Sequence, residues 1–214
     1  MHAFGLSLKC VHVYLLKFHS FFIPLQAFQI ASNQEPASSI TRNILFGTVP
    51  QYKIPGNSYN RVGRAEGILV GGNLSNYSSI AGTKYRLPSK QGIILFIEEV
   101  EESLHDIDRL FYMLRLQSGF ERVKGVVFGS FCSIKFDLQF GSVEQMLVAH
   151  LRDLDIPICC GFPVGSNSCL PLIMGAPCSL DVSVEEVTLT FNVEGNMHTY
   201  YIEKQSQQMI KPEV

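Results

Sequence analysis

A cluster of carboxylates directly after an apolar run holds the residues of this sequence best suited to catalysis. Residues 93–97 are uninterrupted apolar positions, and Glu98, Glu99, Glu101 and Glu102 follow them. A carboxylate at the end of a buried strand lies where α/β proteins place functional groups, and it can orient a histidine within a Ser-His-Glu triad. The four acids also suit a simpler role, because carboxylates just before a helix stabilise its positive end by about 0.3–1 kcal/mol each. Glu98 comes directly after the strand, which makes it the catalytic candidate.

A second polar group follows the preceding apolar run. Residues 67–70 predict a short strand, and Gly71 and Gly72 lead from it to Asn73. An asparagine in this position favours a helix cap, here for a helix that continues to about Ala81. Asn73 is also a candidate binding residue, since its strand and the strand before Glu98 would end at the same edge of a sheet.

A nucleophile is harder to find. The sequence has no Gly-x-Ser-x-Gly elbow, and Ser130 follows Gly129 without the second glycine that such a turn requires. We interpret Ser130 as a strand-end hydroxyl. The serines of residues 165–168, Ser166 among them, are explained by turn chemistry. The histidines are predicted to be surface or packed imidazoles.

The cysteines predict neither a metal site nor a redox pair. They form no Cys-x-x-Cys motif, and no histidine lies at metal-ligand spacing from them. Small buried thiols of this kind are typical of a reducing compartment, so we predict a cytoplasmic protein without a metal. The six positions are Cys10, Cys132, Cys159, Cys160, Cys169 and Cys178.

Composition favours a soluble α/β protein. The chain has 214 residues, of which 46% are hydrophobic and 17% are charged, and its formal net charge is −2. This charge gives no electrostatic reason to expect a nucleic-acid partner. The length suits one domain, or one domain with an extension.

The first 60 residues are predicted to be an apolar extension and a linker without a recognisable domain. Residues 4–30 are rich in aromatic and aliphatic side chains, but Lys9, Lys17 and Pro24 interrupt them, so they lack the roughly 18 apolar residues of a membrane-spanning helix. A targeting or membrane-attachment segment and a core-associated extension both remain open. Residues 31–60 have the composition of a linker with one strand-like piece at 44–49, and the compact domain is expected to begin near residue 61.

The order of elements after residue 61 predicts an α/β fold. Apolar runs at 93–97, 123–128 and 157–161 alternate with amphipathic helices that begin near Ser103 and Ser142. Strand, helix and strand in alternation imply right-handed crossovers and a parallel sheet. Residues 179–193 alternate between apolar and polar side chains around a turn, which predicts a hairpin, and residues 195–214 are expected to form a tail.

Several motifs in succession resemble the carboxyl-terminal domain of the LD-carboxypeptidases. That family includes muramoyl-tetrapeptide carboxypeptidase and the microcin-immunity peptidases. The similarity spans residues 63–193, and many motifs in order are more specific than any one of them. They are Gly67-x-Leu69-Val70-Gly71-Gly72-Asn73-Leu74, Gly82-Thr83, Ile94-Leu95-Phe96-Ile97-Glu98-Glu99, Ile107-Asp108-Arg109, Gly125-Val126-Val127-x-Gly129, Ile156-Pro157, Gly161-Phe162-Pro163-Val164-Gly165 and Leu170-Pro171-Leu172-x-x-Gly175.

The resemblance implies a serine peptidase that removes a carboxy-terminal D-amino acid from the peptidoglycan tetrapeptide and needs no cofactor. In that family the nucleophilic serine belongs to an amino-terminal domain, while the carboxyl-terminal domain supplies the glutamate and histidine of the triad. Glu98 matches the glutamate. The histidine should follow Gly165, where this sequence has Ser166 and a shortened loop.

The resemblance also implies the architecture: a three-layer α/β domain, at residues 61–194, with a mainly parallel sheet, a smaller antiparallel sheet and flanking helices. Because residues 1–60 contain no recognisable nucleophile and Ser166 replaces the histidine, we expect a chain that is inactive alone or is half of a split enzyme. Its partner would be a separate serine domain or a second copy. The alternative is a non-catalytic module that binds a muropeptide-like peptide or a partner in a cleft lined by Asn73, Glu98 and Ser166.

Overall fold

The computed structural model describes residues 10–15, 19–24, 37–80, 82–83, 86–88, 90–135, 141–165 and 168–201. In chain order the elements are β1 (Cys10–Leu15), β2 (His19–Pro24), α1 (Ala37–Leu45), β3 (Thr48–Pro55), β4 (Gly63–Asn73), α2 (Leu74–Ser79), β5 (Ile93–Val100), α3 (Leu104–Arg115), a 3-10 turn (Phe120–Arg122), β6 (Val123–Cys132), α4 (Val143–His150), β7 (Ile158–Cys159), β8 (Val164–Gly165), β9 (Ser168–Cys169), β10 (Leu172–Met174), β11 (Pro177–Val182), β12 (Glu186–Phe191) and β13 (Asn196–Tyr201).

One eight-stranded sheet forms the centre of the fold. Its spatial order is β13-β3-β12-β11-β4-β5-β6-β7. Strands β4 to β7 pair in parallel, whereas β11 pairs antiparallel with both β4 and β12. The parallel and antiparallel parts are therefore continuous through the β4–β11 pair. The predicted α/β class is confirmed.

The apolar run of β5 is buried on both faces of the sheet. Ile93, Leu95 and Ile97 pack in one hydrophobic cluster with residues of α3 and α4. Ile94 and Phe96 point the other way and join a second cluster, which includes residues of α1, β3 and β11. Successive side chains of a strand alternate between its faces, so an unbroken apolar run requires a core on both sides.

The helices on the first of these faces begin at the predicted caps. The side chains of Ser103 and Ser142 accept hydrogen bonds from the backbone N–H groups of Asp106 and Gln145. Each bond satisfies a donor that the first turn of a helix leaves without an intrahelical partner. The caps fix where α3 and α4 start after β5 and β6.

The predicted linker is wrong for residues 37–55. Ala37–Leu45 is a helix, and Thr48–Pro55 is a strand between β12 and β13. The strand-like piece expected at 44–49 therefore spans the end of a helix and the start of a strand. The signal in β3 was an alternation of buried Pro50, Tyr52 and Ile54 with partly exposed Gln51 and Lys53, which the proline and the lysine obscured. The sheet thus begins before residue 61.

The predicted tail is wrong for residues 196–201, which form β13 and pair in parallel with β3. This edge strand has a mixed composition and lacks the apolar run that marks a buried strand. Composition alone therefore indicated a tail. The predicted hairpin is confirmed by the antiparallel pairing of Cys178 with Phe191 and of Val182 with Val187.

The amino-terminal apolar segment contributes two short strands. β1 and β2 pair with each other, and β2 also pairs with β10, so that the three form a small antiparallel sheet. Within the described residues, no helix has the length and hydropathy to cross a bilayer.

Candidate functional site

The two candidate residues that follow apolar runs lie side by side at the carboxyl ends of β4 and β5. Asn73 is the register partner of Glu98 in the parallel pair. Glu98 and its neighbour Glu99 are both 2% exposed, so these two carboxylates are not part of a solvated surface cluster. The two carboxylates have different neighbours: Glu98 lies against Gly165 of β8, and Glu99 accepts hydrogen bonds at the start of α2.

Glu98 lies against the β8 strand. A Cβ atom placed on Gly165 would be 3.1 Å from Glu98 Oε2 and 3.1 Å from Ser130 Cβ. Gly165 has φ +129°, which glycine adopts more readily than other residues. Because Gly165 has no side chain, the Glu98 carboxylate can approach the backbone of β8 closely.

Three strands thus bring Glu98, Ser130 and Gly165 together. Ser130 lies beside the catalytic candidate, although its sequence context predicted only a strand-end hydroxyl. Its position after Gly129 at the end of a buried parallel strand was the one available signal, because neighbouring parallel strands end at the same edge. Gly129 itself packs tightly, since a Cβ there would be 2.5 Å from the carbonyl oxygen of Val164.

Glu99 holds the start of α2 against the end of β5. Its Oε2 accepts hydrogen bonds from the Ser75 backbone N–H at 2.8 Å and from the Ser75 hydroxyl at 2.7 Å. Its Oε1 accepts from Asn73 Nδ2 at 2.5 Å and from the Val100 N–H at 2.9 Å. Four donors compensate the burial of one carboxylate, and hydrogen bonds to a charged group are stronger than neutral ones.

Asn73 is the helix cap that the sequence predicts. Its Oδ1 accepts from the Asn76 N–H at 3.1 Å, and its Nδ2 donates to Glu99. Both ends of the amide are therefore used in joining β4, β5 and α2. A role of Asn73 in ligand binding stays a prediction.

Ser166, the third candidate, lies outside the described residues. The residues on either side of the pair 166–167 are described: Gly165 and Ser168 are register partners in the β8–β9 pair. The position after Gly165 is thus next in sequence to the glycine against which Glu98 packs. The role of Ser166 stays a prediction.

Other potentially reactive groups take part in packing. His150 Nε2 lies 2.7 Å from Asp108 Oδ1, and the His150 ring meets that of Phe111 at 5.5 Å, which connects α3 with α4. Burial raises the pKa of Cys160 and of Cys178 to about 12, so neither is a thiolate near neutral pH. Among the described residues no group of histidine, cysteine and carboxylate side chains is arranged to hold a metal ion.

The described residues form an α/β domain with a buried glutamate near the carboxyl end of a parallel strand. The model of the LD-carboxypeptidase C-terminal domain matches residues 66–180. The chain belongs to this family.

Curated relatives agree with this assignment. A putative carboxypeptidase of Synechocystis is 35% identical over 138 residues, which are 62% of this chain and 44% of that protein. The microcin C7 self-immunity protein of Escherichia coli is 31% identical over 132 residues, or 60% of this chain and 38% of that protein. A probable murein peptide carboxypeptidase of Bacillus subtilis is 31% identical over 144 residues, or 64% and 44%. The chain spans less than half the length of these relatives.

Solved structures show the same fold. The muramoyltetrapeptide carboxypeptidase of Oxalobacter formigenes superposes with a TM-score of 0.60 at 23% identity, covering 80% of this chain and 55% of that one. The microcin C7 self-immunity protein, in an inactive-mutant apo form, gives a TM-score of 0.56 at 25% identity, covering 67% and 42%.

Proposed function

We propose that this chain provides the glutamate half of a serine LD-carboxypeptidase site for a murein-type peptide, and that it does not hydrolyse such a peptide by itself. The observation that carries the proposal is the buried Glu98 carboxylate beside Gly165. The resemblance implies a triad histidine directly after this glycine. Gly165 lies next to Glu98, and a glutamate adjacent to an imidazole can orient it.

Ser166 is the reason to propose a loss of turnover. A serine hydroxyl cannot take up a proton near neutral pH as imidazole does. Removal of one triad member typically lowers the rate by several orders of magnitude. The scaffold needs no such residue, since the hydrogen bonds of Glu99 and the packing of Gly165 do not depend on the base.

The nucleophile would come from a serine domain, whichever polypeptide carries it. The names of the relatives support a murein peptide as the substrate of such a pair: the Bacillus subtilis relative is a probable murein peptide carboxypeptidase. We propose that a serine domain docks over the edge at which β4, β5 and β6 end, because Glu98 lies there. Among the described side chains, the thiols of Cys159, Cys160 and Cys178 form no disulfide, which supports the cytoplasm as the compartment.

The experiment that tests the proposal measures D-alanine released from a purified muropeptide tetrapeptide. The chain alone and its Glu98→Gln variant should both release none. Release that is lost in Glu98→Gln and in a serine variant of this chain would overturn the proposal.

A gain-of-function experiment tests whether position 166 is where the triad histidine belongs. The Ser166→His variant, mixed with the separately produced serine domain of the Bacillus subtilis relative, should release D-alanine, and the double variant Ser166→His/Glu98→Gln should not. The matched control is Ser168→His, which places the imidazole two residues further along. Equal release by both histidine variants would contradict the assignment of position 166.

A second candidate function is a module that binds a peptide in the cleft next to Asn73 and Glu98 without cleaving it. The burial of Glu98 favours it, because a buried carboxylate is costly and is retained where it has partners. Titration calorimetry with the same tetrapeptide should then show binding that Glu98→Gln weakens. Equal binding by both proteins, or none by either, would leave this candidate without support.

A further inference from the structure

The β10 strand next to the site offers a backbone edge that takes up an extended segment. Its three residues are almost completely buried: Leu172 is 0%, Ile173 6% and Met174 4% exposed. β10 follows β9 after only Leu170 and Pro171, and β9 pairs with β8, the strand that contains Gly165.

Both ends of β10 are fixed to the central sheet. On one side, the Tyr52 hydroxyl donates to the Pro171 carbonyl oxygen at 2.6 Å. On the other, the Gly175 N–H donates to the Leu69 carbonyl oxygen at 2.7 Å, and the Leu69 N–H donates to that of Ala176 at 2.9 Å. The strand is therefore held in an extended form by contacts that do not involve its partner β2.

β2 pairs with the whole length of β10. The register opposes Leu172 to Phe22, Ile173 to Phe21 and Met174 to Ser20, and β1 continues the antiparallel sheet on the far side of β2. Pairing of this kind uses main-chain donors and acceptors, so an edge that accepts one extended peptide can accept another of suitable side-chain alternation. An uncovered edge would also expose unpaired backbone groups, which proteins avoid.

We propose that the edge of β10 facing β2 is a strand-acceptor site for an extended peptide, and that residues 19–24 are its built-in occupant. An external extended peptide then binds there by displacing the β1–β2 hairpin. The hairpin is tethered to the same chain, which gives it a high effective concentration and favours self-occupancy in the absence of a competitor. The site is independent of whether the chain takes part in hydrolysis.

Disulfide trapping in the full-length chain tests the built-in occupant. Phe21→Cys with Ile173→Cys places two cysteines on directly opposed positions, at a separation that a disulfide can span. Mild oxidation should yield a 21–173 disulfide within one chain, identified by peptide mapping because native cysteines are present. The control pair, Ser20→Cys with Ile173→Cys, is one residue out of register and so directs the two side chains to opposite faces; it should form at least tenfold less.

Three results of the trapping would overturn the proposal. Equal yields from both cysteine pairs, or no 21–173 disulfide, would show that the register does not exist in solution. A 21–173 disulfide found only between two chains would show that the occupant is the hairpin of a second copy.

Peptide binding tests the acceptor. A variant without residues 1–24 should bind a fluorescent synthetic peptide of residues 10–24, and the full-length chain should bind it at least tenfold more weakly because its edge is occupied. A peptide N-methylated at Phe21 and Phe22 keeps its side chains but loses backbone donors, and it should not bind. Absence of binding to a truncated variant that still unfolds cooperatively would overturn the proposal. If truncation abolishes cooperative unfolding, the yield of the 21–173 disulfide in the full-length chain decides whether the proposal stands.

Discussion

The parallel and antiparallel halves of the central sheet place their polar residues in different ways. In β5, at the centre of the parallel half, seven consecutive residues from Ile93 to Glu99 are buried. In β12, in the antiparallel half, buried Val187, Leu189 and Phe191 alternate with partly exposed residues. One half is covered on both faces, and the other is covered fully on only one.

This difference explains where chemistry is possible. A strand with two covered faces has no room for polar side chains except at its ends, so Asn73, Glu98 and Ser130 gather at one edge of the sheet. A strand with one open face distributes its polar residues along its length, where hydrogen bonds such as that from Gln51 Nε2 to Thr190 Oγ1 at 2.8 Å join neighbouring strands. The parallel half therefore concentrates polar groups, and the antiparallel half disperses them.

Alanine substitution along the two strands should give the largest contrast. Leu95→Ala should cost about 2–5 kcal/mol of unfolding free energy and Phe96→Ala about 3–5 kcal/mol, because these neighbours fill two different cores. In β12, Leu189→Ala should cost as much as Leu95→Ala, whereas Thr188→Ala should cost less than about 1 kcal/mol. Urea denaturation measures all four. A Thr188→Ala cost as large as that of Leu95→Ala would contradict the contrast.

The close approach of β4 to β5 should make Gly71 nearly as sensitive. A Cβ on Gly71 would lie 1.8 Å from the Phe96 carbonyl oxygen, and its φ is +135°. Gly71→Ala should therefore cost on the order of 3 kcal/mol, from strain and overpacking together. Gly82→Ala is the matched control, since nothing lies within 4 Å of its Cβ position. Similar denaturation midpoints for the two variants would exclude the close approach.

Substitution of Glu99 tests whether this strand-end carboxylate stabilises the fold. In Glu99→Gln one carboxylate oxygen becomes an NH₂ group that faces two existing donors, because each oxygen accepts two hydrogen bonds. We expect a loss of about 2 kcal/mol in unfolding free energy. Glu185→Gln, at an exposed turn, should change it by less than about 0.5 kcal/mol. Equal values would mean that the Glu99 network does not stabilise the fold.

The smallest change in unfolding free energy should come from removing the cap of α3, and this change should depend on pH. The Ser103 hydroxyl donates to Asp106 Oδ2 at 2.6 Å and, with Arg109, lowers the pKa of Asp106. Ser103→Ala should remove a helix cap worth about 1 kcal/mol at pH 7. A lowered pKa stabilises the folded state above the unfolded value of about 3.9, and this part is lost as the pH falls through the lower folded value.

The matched control for the α3 cap is Ser142→Ala, which removes a similar cap from α4. There the first-turn partner is Gln145, which does not titrate. Its effect on stability should be the same at pH 7 and pH 3, whereas that of Ser103→Ala should decrease. NMR titration of the Asp106 carboxyl should show its pKa rising toward the ordinary range in Ser103→Ala. A pKa unchanged by the substitution would exclude the hydrogen bond as its cause.

The parts of the fold that were predictable have local signals. Apolar runs marked β5 and β6, although Lys124 interrupts the second of them. Ser103, Ser142 and Asn73 marked helix starts, because caps and buried strands depend on residues close in sequence. β3 and β13 were missed, since a strand interrupted by prolines and an edge strand of mixed composition are identified only by their partners.

The candidate site divides in the same way. Glu98 was predictable from its place after the apolar run at 93–97, and the sequence by itself determined the family, the α/β class and the identity of Ser166 where a histidine is expected. Only the tertiary structure decided that Glu98 packs against Gly165 beside Ser130, that Glu99 is buried under four donors, and that residues 19–24 pair with β10. The physical reason is separation along the chain: these contacts join residues that come together only when the sheet has formed.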